Sequence, residues 1–370
     1  MKESTALAEF IHHAENNVAV SFSGGKDSLV VLDLAERTGV KKAVFCDTTI
    51  EFKETVEYVK QIQNYYNIKI DVIKPRISFF EIIQCVGIPS RKLRWCCDVF
   101  KFAPLANYAR ENNIKAFITG LRRTESNTRS EYTSIDYNPL VPIPQINPIV
   151  DWSTKDVWEY IHTYNLPYNP LYEYFGRIGC WCCPYKTKSE WELIKKLFPE
   201  RVERLEVILY NYAEKAKIKD KEKFVKHRGW TLWSGHINKV TIGSYSPCRA
   251  GSEYEDLIFT GESENQVKKI VKILPILTDD FFIFAKKLRV KISGFNKIKL
   301  NILVEKAINC VACGACTSVC RIGALNIDDE GLYVDKQKCI HCGDCIKTNI
   351  LRGGCIMRNY SSKRKALITL

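Results

Sequence analysis

A pair of glycines between an apolar strand and an apolar helix constrains the fold of this chain more than any other feature. After the apolar residues 18–20 the sequence reads Ser21-Phe22-Ser23-Gly24-Gly25-Lys26-Asp27-Ser28 and continues into the apolar residues 29–32. Adjacent glycines let the backbone approach a phosphate that a Cβ would exclude, and N–H groups at a helix N-terminus bind anions. The pattern predicts a phosphate-binding strand, loop and helix, with these binding residues: Ser23, Gly24, Gly25, Lys26, Asp27 and Ser28.

The spacing of this loop excludes two common nucleotide-binding motifs. A Walker A loop has four residues between its first glycine and Gly-Lys-Ser/Thr, and a dinucleotide-binding fold carries G-x-G-x-x-G. Neither spacing occurs between Ser21 and Ser28. A plain Gly-Gly turn without a ligand is the alternative.

Strands and helices alternate along the first half of the chain. The pattern predicts strands at residues 18–22, 43–46, 68–73 and 116–119 and helices at residues 55–66, 79–86 and 99–112. Such alternation indicates an α/β fold with a doubly wound, mostly parallel sheet, whose ligands bind at the carboxyl ends of the strands. We expect the glycine loop, Asp47 and the segment Gly120-Leu121-Arg122-Arg123 to converge there.

Neither a secretory leader nor a membrane span is predicted. The first residues form a polar amphipathic segment, and no run of about 18 apolar residues occurs. We therefore expect a cytoplasmic protein with no membrane partner. In that compartment the sixteen cysteines are expected to bind metal rather than to form disulfides.

Eight cysteines near the C-terminus follow the spacing of a ferredoxin with two [4Fe–4S] clusters. In such ferredoxins three cysteines of a run ligate one cluster and the fourth ligates the other. One cluster is expected at Cys310, Cys313, Cys316 and Cys355, and the second at Cys339, Cys342, Cys345 and Cys320. The sequence departs from the usual ferredoxin pattern in two ways: Arg321 replaces the usual proline, and nine residues separate Cys345 from Cys355. A zinc ribbon is the alternative.

Four further cysteines form a second constellation: Cys96, Cys97, Cys180 and Cys183. Four thiolates from two distant segments bind either zinc or one cubane cluster, and the spacing does not decide between them. The cations Arg91, Lys92 and Arg94 precede the tandem pair, which suits an anionic site.

The charge balance of the chain is basic. Its formal net charge is +13, from 55 basic and 42 acidic side chains. This balance favours anionic partners such as nucleotides, sulfate esters or nucleic acid. A lysine-rich solvated surface has the same balance and is the alternative.

These motifs resemble those of the phosphoadenylyl sulfate and adenylyl sulfate reductases, a branch of the ATP-pyrophosphatase-loop proteins, fused to a dicluster ferredoxin. The resemblance covers about residues 15–185 and 301–357. Besides the glycine loop and the cysteines, these segments carry it: Asp47-Thr48-Thr49 with Glu51, Lys101, Thr119-Gly120-Leu121-Arg122-Arg123 with Arg129, Asp156-Val157-Trp158, and residues 166–172.

The resemblance implies a fold like that of the adenine nucleotide α-hydrolases and roles for particular residues. It implies a [4Fe–4S] cluster at Cys96, Cys97, Cys180 and Cys183, with Lys101 linking that cluster to the substrate electrostatically. Lys26 and Lys101 are the predicted catalytic cations. The further nucleotide-binding residues are Asp47, Gly120, Arg122, Arg123 and Arg129.

One motif of the adenylyl sulfate reductases is absent. Their C-terminal cysteine, in a Glu-Cys-Gly context, attacks the sulfate sulfur, and this chain has no such motif. Cys248 is the unassigned cysteine beyond the matched region, and we predict it as the replacement nucleophile. A buried inert thiol is the alternative.

Three functions are compatible with these motifs. The first is a reductase that converts adenylyl sulfate or phosphoadenylyl sulfate to sulfite with electrons from its own ferredoxin clusters. The second is an ATP-dependent enzyme, using Mg²⁺ with ATP, that inserts sulfur into tRNA or another substrate while Lys26 stabilises the departing pyrophosphate. The third is an electron-transfer partner with a vestigial nucleotide fold. The sequence does not identify the electron donor or the oligomeric state.

The motifs divide the chain into four predicted parts. A nucleotide-binding domain with an iron–sulfur site occupies residues 1–188, a mixed middle region 189–300, a small α+β ferredoxin domain 301–357 and a basic tail 358–370. In the middle region, the pattern predicts a charged helix at residues 190–216 and a basic linker at 217–226. It also predicts a helix with one apolar face, formed by Val267, Ile270, Val271 and Leu274.

Overall fold

The computed structural model describes residues 17–126, 129–138, 140–233, 254–258, 263–284, 287–291 and 297–346. The chain divides into two compact units, Met1–Pro75 with Phe100–Val202, and Arg76–Val99 with Glu203–Leu370. The domain boundaries expected after residues 188, 300 and 357 stay predictions. No helix in the described ranges is long and apolar enough to cross a membrane.

The first unit is built on one six-stranded sheet. Its strands are β1 (Val18–Ser21), β2 (Lys42–Cys46), β3 (Lys69–Ile73), β4 (Ala116–Ile118), β5 (Ile135–Asn138) and β6 (Val141–Ile146). Their order is β3-β2-β1-β4-β6-β5, and every neighbouring pair is parallel except β5 and β6. The predicted mostly parallel sheet is confirmed. The β5/β6 hairpin was not predicted, because Pro142 and Pro144 interrupt the pattern of an ordinary strand.

Most helices lie where the apolar periodicity predicts them. The α-helices longer than one turn in the described ranges are α1 (Lys26–Arg37), α2 (Lys53–Tyr66), α3 (Phe79–Val86), α4 (Ala103–Glu111), α5 (Thr154–Thr163), α6 (Lys188–Leu197), α7 (Pro199–Lys215), α8 (Lys221–Val225), α9 (Ser263–Val271) and α10 (Lys297–Ile308). A helical turn, Trp95–Cys97, and a π-helical turn, Asp98–Phe102, precede α4. Pro104 lies in the first turn of α4, directly after the π-helical turn.

Strand β1 is apolar from Val18 to Val20 because both faces of the sheet are covered. Val18 and Val20 pack in a core with residues of α1 such as Val30, whereas Ala19 packs in a second core with Phe117. A parallel strand buried on both faces requires such a continuous apolar run. The burial of β1 holds the start of the glycine loop at the carboxyl edge of the sheet.

A buried carboxylate fastens α1 to its neighbours. Asp33 accepts hydrogen bonds from the hydroxyls of Tyr66 at 2.9 Å and Tyr160 at 2.7 Å, and it pairs with Arg37 Nε at 2.9 Å. These contacts connect α1 with α2 and α5. Because Asp33 lies in the middle of α1, these contacts fix the helix and with it the position of its N-terminus.

The second unit contains an antiparallel sheet, a hairpin and helices. Its strands are β7 (Tyr254–Ile258), β8 (Phe281–Phe284) and β9 (Lys287–Lys291), in the order β7-β9-β8, and the hairpin β10 (Leu325–Asp328) with β11 (Gly331–Val334). Helices α9 and α10 share one apolar core with this hairpin, through residues such as Ile270, Leu303 and Leu325.

Three expectations for the middle region are wrong. The charged segment at residues 190–216 forms two helices, because Pro199 lacks the N–H that a continuous helix would need and begins α7 instead. The expected linker at residues 217–226 contains α8, whose start is capped by the Asp220 side chain. Helix α9 ends at Val271, and Leu274 begins a 3₁₀ turn with Pro275 next to it.

Candidate functional site

Gly24 and Gly25 allow a loop shape after β1 that other residues would strain. Gly24 has a φ of +73°, and a Cβ on it would lie 2.7 Å from Thr55 Cγ2. Gly25 is the N-cap of α1 and has no side chain that could cap the helix. Because the first N–H groups of a helix have no acceptor within the helix, the N-terminus of α1 is suited to an anion.

Ser23 and Ser28, both predicted to bind phosphate, shape the loop. The Ser23 N–H donates to Ser28 Oγ at 3.2 Å, and the Ser28 hydroxyl donates to the Gly25 carbonyl at 2.9 Å. The two hydroxyl oxygens lie 3.1 Å apart. The structure assigns a shaping role to these serines, and their contact with phosphate stays a prediction.

Asn169 and Tyr172 clamp the loop from a distant segment of the chain. The Asn169 side-chain amide donates to the Gly24 carbonyl at 3.1 Å and to the Thr55 hydroxyl at 3.2 Å. The Lys26 backbone N–H donates to the Tyr172 hydroxyl at 2.8 Å. Sequence reasoning missed this clamp, although residues 166–172 are one of the segments that carry the family resemblance. The available signal was a pair of hydrogen-bonding side chains around Pro170: Asn169 directly before it and Tyr172 two residues after it.

Asp27 joins two cations in a largely buried chain of charges. Lys26 Nζ lies 2.7 Å from Asp27 Oδ2, and Arg122 Nε lies 2.7 Å from Asp27 Oδ1. Arg122 is 2% exposed and also donates to the Trp152 carbonyl at 3.0 Å. A Cβ on Gly120 would lie 2.7 Å from the carbonyl carbon of Asp27, so the glycine loop and the segment after β4 converge as expected. Arg122 holds Asp27 and the loop in this ligand-free arrangement.

The other predicted nucleotide-binding side chains have carboxylate or amine partners. Asp47 pairs with Lys74, Arg123 with Asp151, and Arg129 with Glu125. The pair of Arg123 and Asp151 is exposed, and because an exposed ion pair contributes at most about 1 kcal/mol, Asp151 is readily exchanged for a charged ligand. Nucleotide binding by Asp47, and phosphate or sulfate binding by Arg123 and Arg129, stay predictions.

Several groups near the carboxyl end of β2 surround the thiol of Cys180. Its Sγ lies 3.5 Å from the Thr48 hydroxyl and 3.5 Å from Glu51 Oε1. Burial, and next Glu51, raise the pKa of Cys180 to about 12 against the opposing effect of Lys101. Burial likewise raises the pKa of Cys46 to about 12, and the Cys46 thiol donates to the Lys101 carbonyl at 3.5 Å. Lys101 is thus within electrostatic reach of both thiols, and sequence reasoning had left Cys46 without a role.

Cys96 and Cys97 belong to the second unit, in the helical turn that precedes α4. Arg94 Nη2 donates to Cys97 Sγ at 3.5 Å. Burial, helped by Cys97 and opposed by Arg94, raises the pKa of Asp98 to about 7. The other two cysteines of this constellation belong to the first unit. A single cluster held by all four thiolates stays a prediction.

The two cysteine triplets of the C-terminal region have the same backbone conformation. Ala312 and Gly314 in the first triplet have φ values of +53° and +79°, and the equivalent His341 and Gly343 in the second have +53° and +72°. The carbonyls of both glycines accept an N–H three residues later, at 3.0 and 3.1 Å. The region therefore contains two equivalent cysteine loops.

Four cysteines from both runs line one cavity in the second unit: Cys320, Cys339, Cys342 and Cys345. They are the four that the sequence assigns to the second cluster. The Ala324 N–H donates to Cys320 Sγ at 3.1 Å, a type of hydrogen bond that tunes cluster potentials. This donor set fits a [4Fe–4S] cluster, whose thiolates each bind a different iron. Within the described ranges, no three His, Cys, Asp or Glu side chains are placed to hold one metal ion together.

Two predicted site residues lie outside the described residues: Cys248 and Cys355. The replacement nucleophile and the fourth ligand of the first ferredoxin cluster therefore stay predictions. None of the cysteines whose side chains the structure describes forms a disulfide.

Comparison with known proteins assigns the family. A profile of the phosphoadenosine phosphosulfate reductase domain matches residues 17–186. An adenosine 5'-phosphosulfate reductase of Anoxybacillus flavithermus is 31% identical over 186 residues, which cover 49% of this chain and 78% of that protein. The chain belongs to the phosphoadenosine phosphosulfate reductase family.

Other matches to this reductase-family chain cover only about half of its length. Two uncharacterized proteins of Methanocaldococcus jannaschii are 41% and 38% identical over 54% and 50% of this chain, which spans only 42% and 45% of their lengths. A crystal structure of phosphoadenylyl-sulfate reductase from Candida auris, a phosphate complex, aligns over 47% of this chain and 87% of that chain. The sequence identity is 25% and the TM-score is 0.39.

The clamp of this reductase-family chain can be tested with Tyr172→Phe. The change removes the hydrogen bond that ties the glycine loop to Tyr172, so nucleotide binding must itself order the loop and loses affinity by that ordering cost. We expect adenine-nucleotide affinity, measured by calorimetry, to fall by about tenfold. Tyr174→Phe, at an exposed tyrosine two residues away, is the matched control and should bind like the wild type. Equal affinities of the two variants would contradict a role of the clamp in binding.

Proposed function

We propose that this chain is an iron–sulfur enzyme of sulfur metabolism that reduces an adenylyl sulfate to sulfite and AMP, with electrons delivered through its own ferredoxin-like region. The observation that carries the proposal is the clamped glycine loop, which presents the N-terminus of α1 at the carboxyl edge of the sheet, with a glycine at the N-cap and Tyr172 holding only the first N–H. Ligands of doubly wound sheets bind at that edge. Membership of the phosphoadenosine phosphosulfate reductase family supports a sulfonucleotide as the ligand.

The glycine loop would bind the nucleotide phosphate. The N–H groups of Asp27 and Ser28 would donate to the phosphate oxygens while the Lys26 N–H stays with Tyr172, and the Lys26 side chain would turn from Asp27 to the phosphate as a charged donor. Asp27 keeps its ion pair with Arg122 when Lys26 leaves. The exchange therefore creates no unpaired buried carboxylate, and unpaired buried charges are strongly destabilising.

Lys101 would act at the sulfate end of the substrate. Its charge already acts on the Cys180 thiol, so the same cation can stabilise a sulfate group placed beside that cysteine. Two electrons break the bond between the sulfate sulfur and the bridging oxygen of AMP, and sulfite and AMP leave with the added charge. When bound, the [4Fe–4S] clusters would supply these electrons one at a time.

The ferredoxin-like region supports the reductase over a simple nucleotide-binding protein. The four cysteines that line one cavity come from both runs, as the ligand crossing of a dicluster ferredoxin requires. Cys310, Cys313 and Cys316 would hold the first cluster with Cys355, and the constellation of Cys96, Cys97, Cys180 and Cys183 would hold the third. An electron carrier on the same chain would replace a separate dithiol reductant.

An ATP-dependent sulfur-inserting enzyme is the second candidate, and the intact Ser-Gly-Gly-Lys-Asp-Ser loop favours it. In this case Lys26 would stabilise the pyrophosphate that leaves ATP, with Mg²⁺ as the counterion. The net charge of +13 would favour a tRNA acceptor.

Product analysis separates the two functions. The full chain, purified anaerobically, receives either adenylyl sulfate with dithionite or MgATP with a sulfur donor and tRNA. We expect sulfite and AMP in equal amounts from adenylyl sulfate, and no pyrophosphate from ATP. Pyrophosphate release that depends on tRNA, without sulfite from any adenylyl sulfate, would overturn the reductase and favour the second candidate.

A further inference from the structure

A lysine is buried in the core of the second unit. Lys306 lies in α10 and is 1% exposed, although lysine is almost never fully buried without compensation. Its Nζ donates to the backbone carbonyl of Cys345. Leu303 and Ala307, on the same helix, are buried in the same apolar core. The amine of Lys306 is thus held inside the protein against a cysteine loop.

This contact is made to the second of the two equivalent cysteine loops. Cys345 is the third cysteine of the second triplet and lines the cavity with the other three predicted ligands of the second cluster. The Cys345 carbonyl accepts the hydrogen bond from Lys306 Nζ, which places the amine beside this predicted ligand. A positive charge therefore lies within electrostatic reach of the second ligand set.

We propose that Lys306 is a positioning residue whose positive charge makes the cluster at Cys320, Cys339, Cys342 and Cys345 easier to reduce. The inference rests on the two ferredoxin clusters of the proposed function. Reduction adds one negative charge to a cluster, so a nearby fixed cation stabilises the reduced form more than the oxidised form. The low dielectric of a protein core strengthens this effect. Charge near a cluster is one of the factors that set its potential.

A redox titration of the full chain tests the inference. The anaerobic protein is titrated with dithionite, and the reduced clusters are followed by electron paramagnetic resonance. Lys306→Met removes the charge and keeps a long, flexible side chain, whereas Lys306→Gln also keeps a donor for the Cys345 carbonyl. Lys299→Met, at an exposed lysine of the same helix, is the matched control. Iron is measured in every variant.

We expect one midpoint potential to fall in both Lys306 variants, while the other midpoints and the iron content keep their wild-type values. All midpoints should stay unchanged in Lys299→Met. Unchanged midpoints in iron-replete Lys306 variants would overturn the inference. A midpoint potential that falls in Lys306→Met alone would assign the effect to the hydrogen bond rather than to the charge. Loss of iron in both variants would assign Lys306 a role in cluster assembly. Either result would also overturn the inference. A wild-type chain without reducible ferredoxin clusters would instead refute the proposed function.

Discussion

Purified without oxygen, the chain is expected to contain about twelve irons and as many sulfide ions, because its cysteines supply ligands for three [4Fe–4S] clusters. The double variant Cys96→Ser/Cys97→Ser should contain about eight irons, since half of the thiolates of the third cluster are lost while the ferredoxin-like region keeps its ligands. Iron and acid-labile sulfide analysis per chain measures both values.

Cys182→Ala is the matched control for the iron analysis. Cys182 lies between Cys180 and Cys183, is 2% exposed and belongs to no predicted ligand set. Its replacement should leave about twelve irons per chain. A wild-type content of about eight irons with one zinc would assign zinc to the four-cysteine constellation and contradict a third cluster.

Lys26→Ala is expected to weaken the binding of adenylyl sulfate and other adenine nucleotides by roughly 10- to 100-fold. A hydrogen bond to a charged group contributes about 1.5–3 kcal/mol, and each 1.4 kcal/mol is a factor of ten in affinity. Calorimetric titration of the anaerobic protein measures the change. The iron content should equal that of the wild type, because Lys26 is not a cysteine-loop residue.

Lys53→Ala is the control for this prediction, because Lys53 begins α2 and its side chain is 76% exposed. Replacement of Asp27 would be a poorer test. Its loss would leave Arg122 buried without its carboxylate, a change that costs roughly 3–5 kcal/mol by itself. Wild-type affinity in Lys26→Ala for every adenine nucleotide tested would remove the loop from the binding site.

The local elements of the first unit followed from the sequence because their signals are local. The apolar run before Gly24 predicted a strand buried on both faces, and the residues after Gly25 predicted α1. Two adjacent glycines before a lysine predicted a helix N-terminus with a glycine at the N-cap. The β5/β6 hairpin and the break at Pro199 were missed, because proline in a strand or helix pattern admits more than one interpretation.

The cysteine loops of the second unit were also predictable, because their spacing is short. Three cysteines, each separated from the next by two residues, can surround one cluster within a single turn of chain. The lysine that contacts the second loop was not predictable. Lys306 precedes Cys345 by 39 positions, and the packing of α10 against the second loop decides that its amine contacts this cysteine.

The sequence by itself determined the strand–loop–helix unit, the alternation that builds the parallel sheet and the ligand spacing of the cysteine runs, since each depends on residues close together in the chain. The tertiary structure decided which side chains support the loop. Tyr172 is 146 positions from Lys26, and Arg122 is 95 positions from Asp27. Sequence patterns do not specify pairs at such separations; packing of the sheet and helices brings them together, and burial then makes each hydrogen bond and ion pair costly to lose.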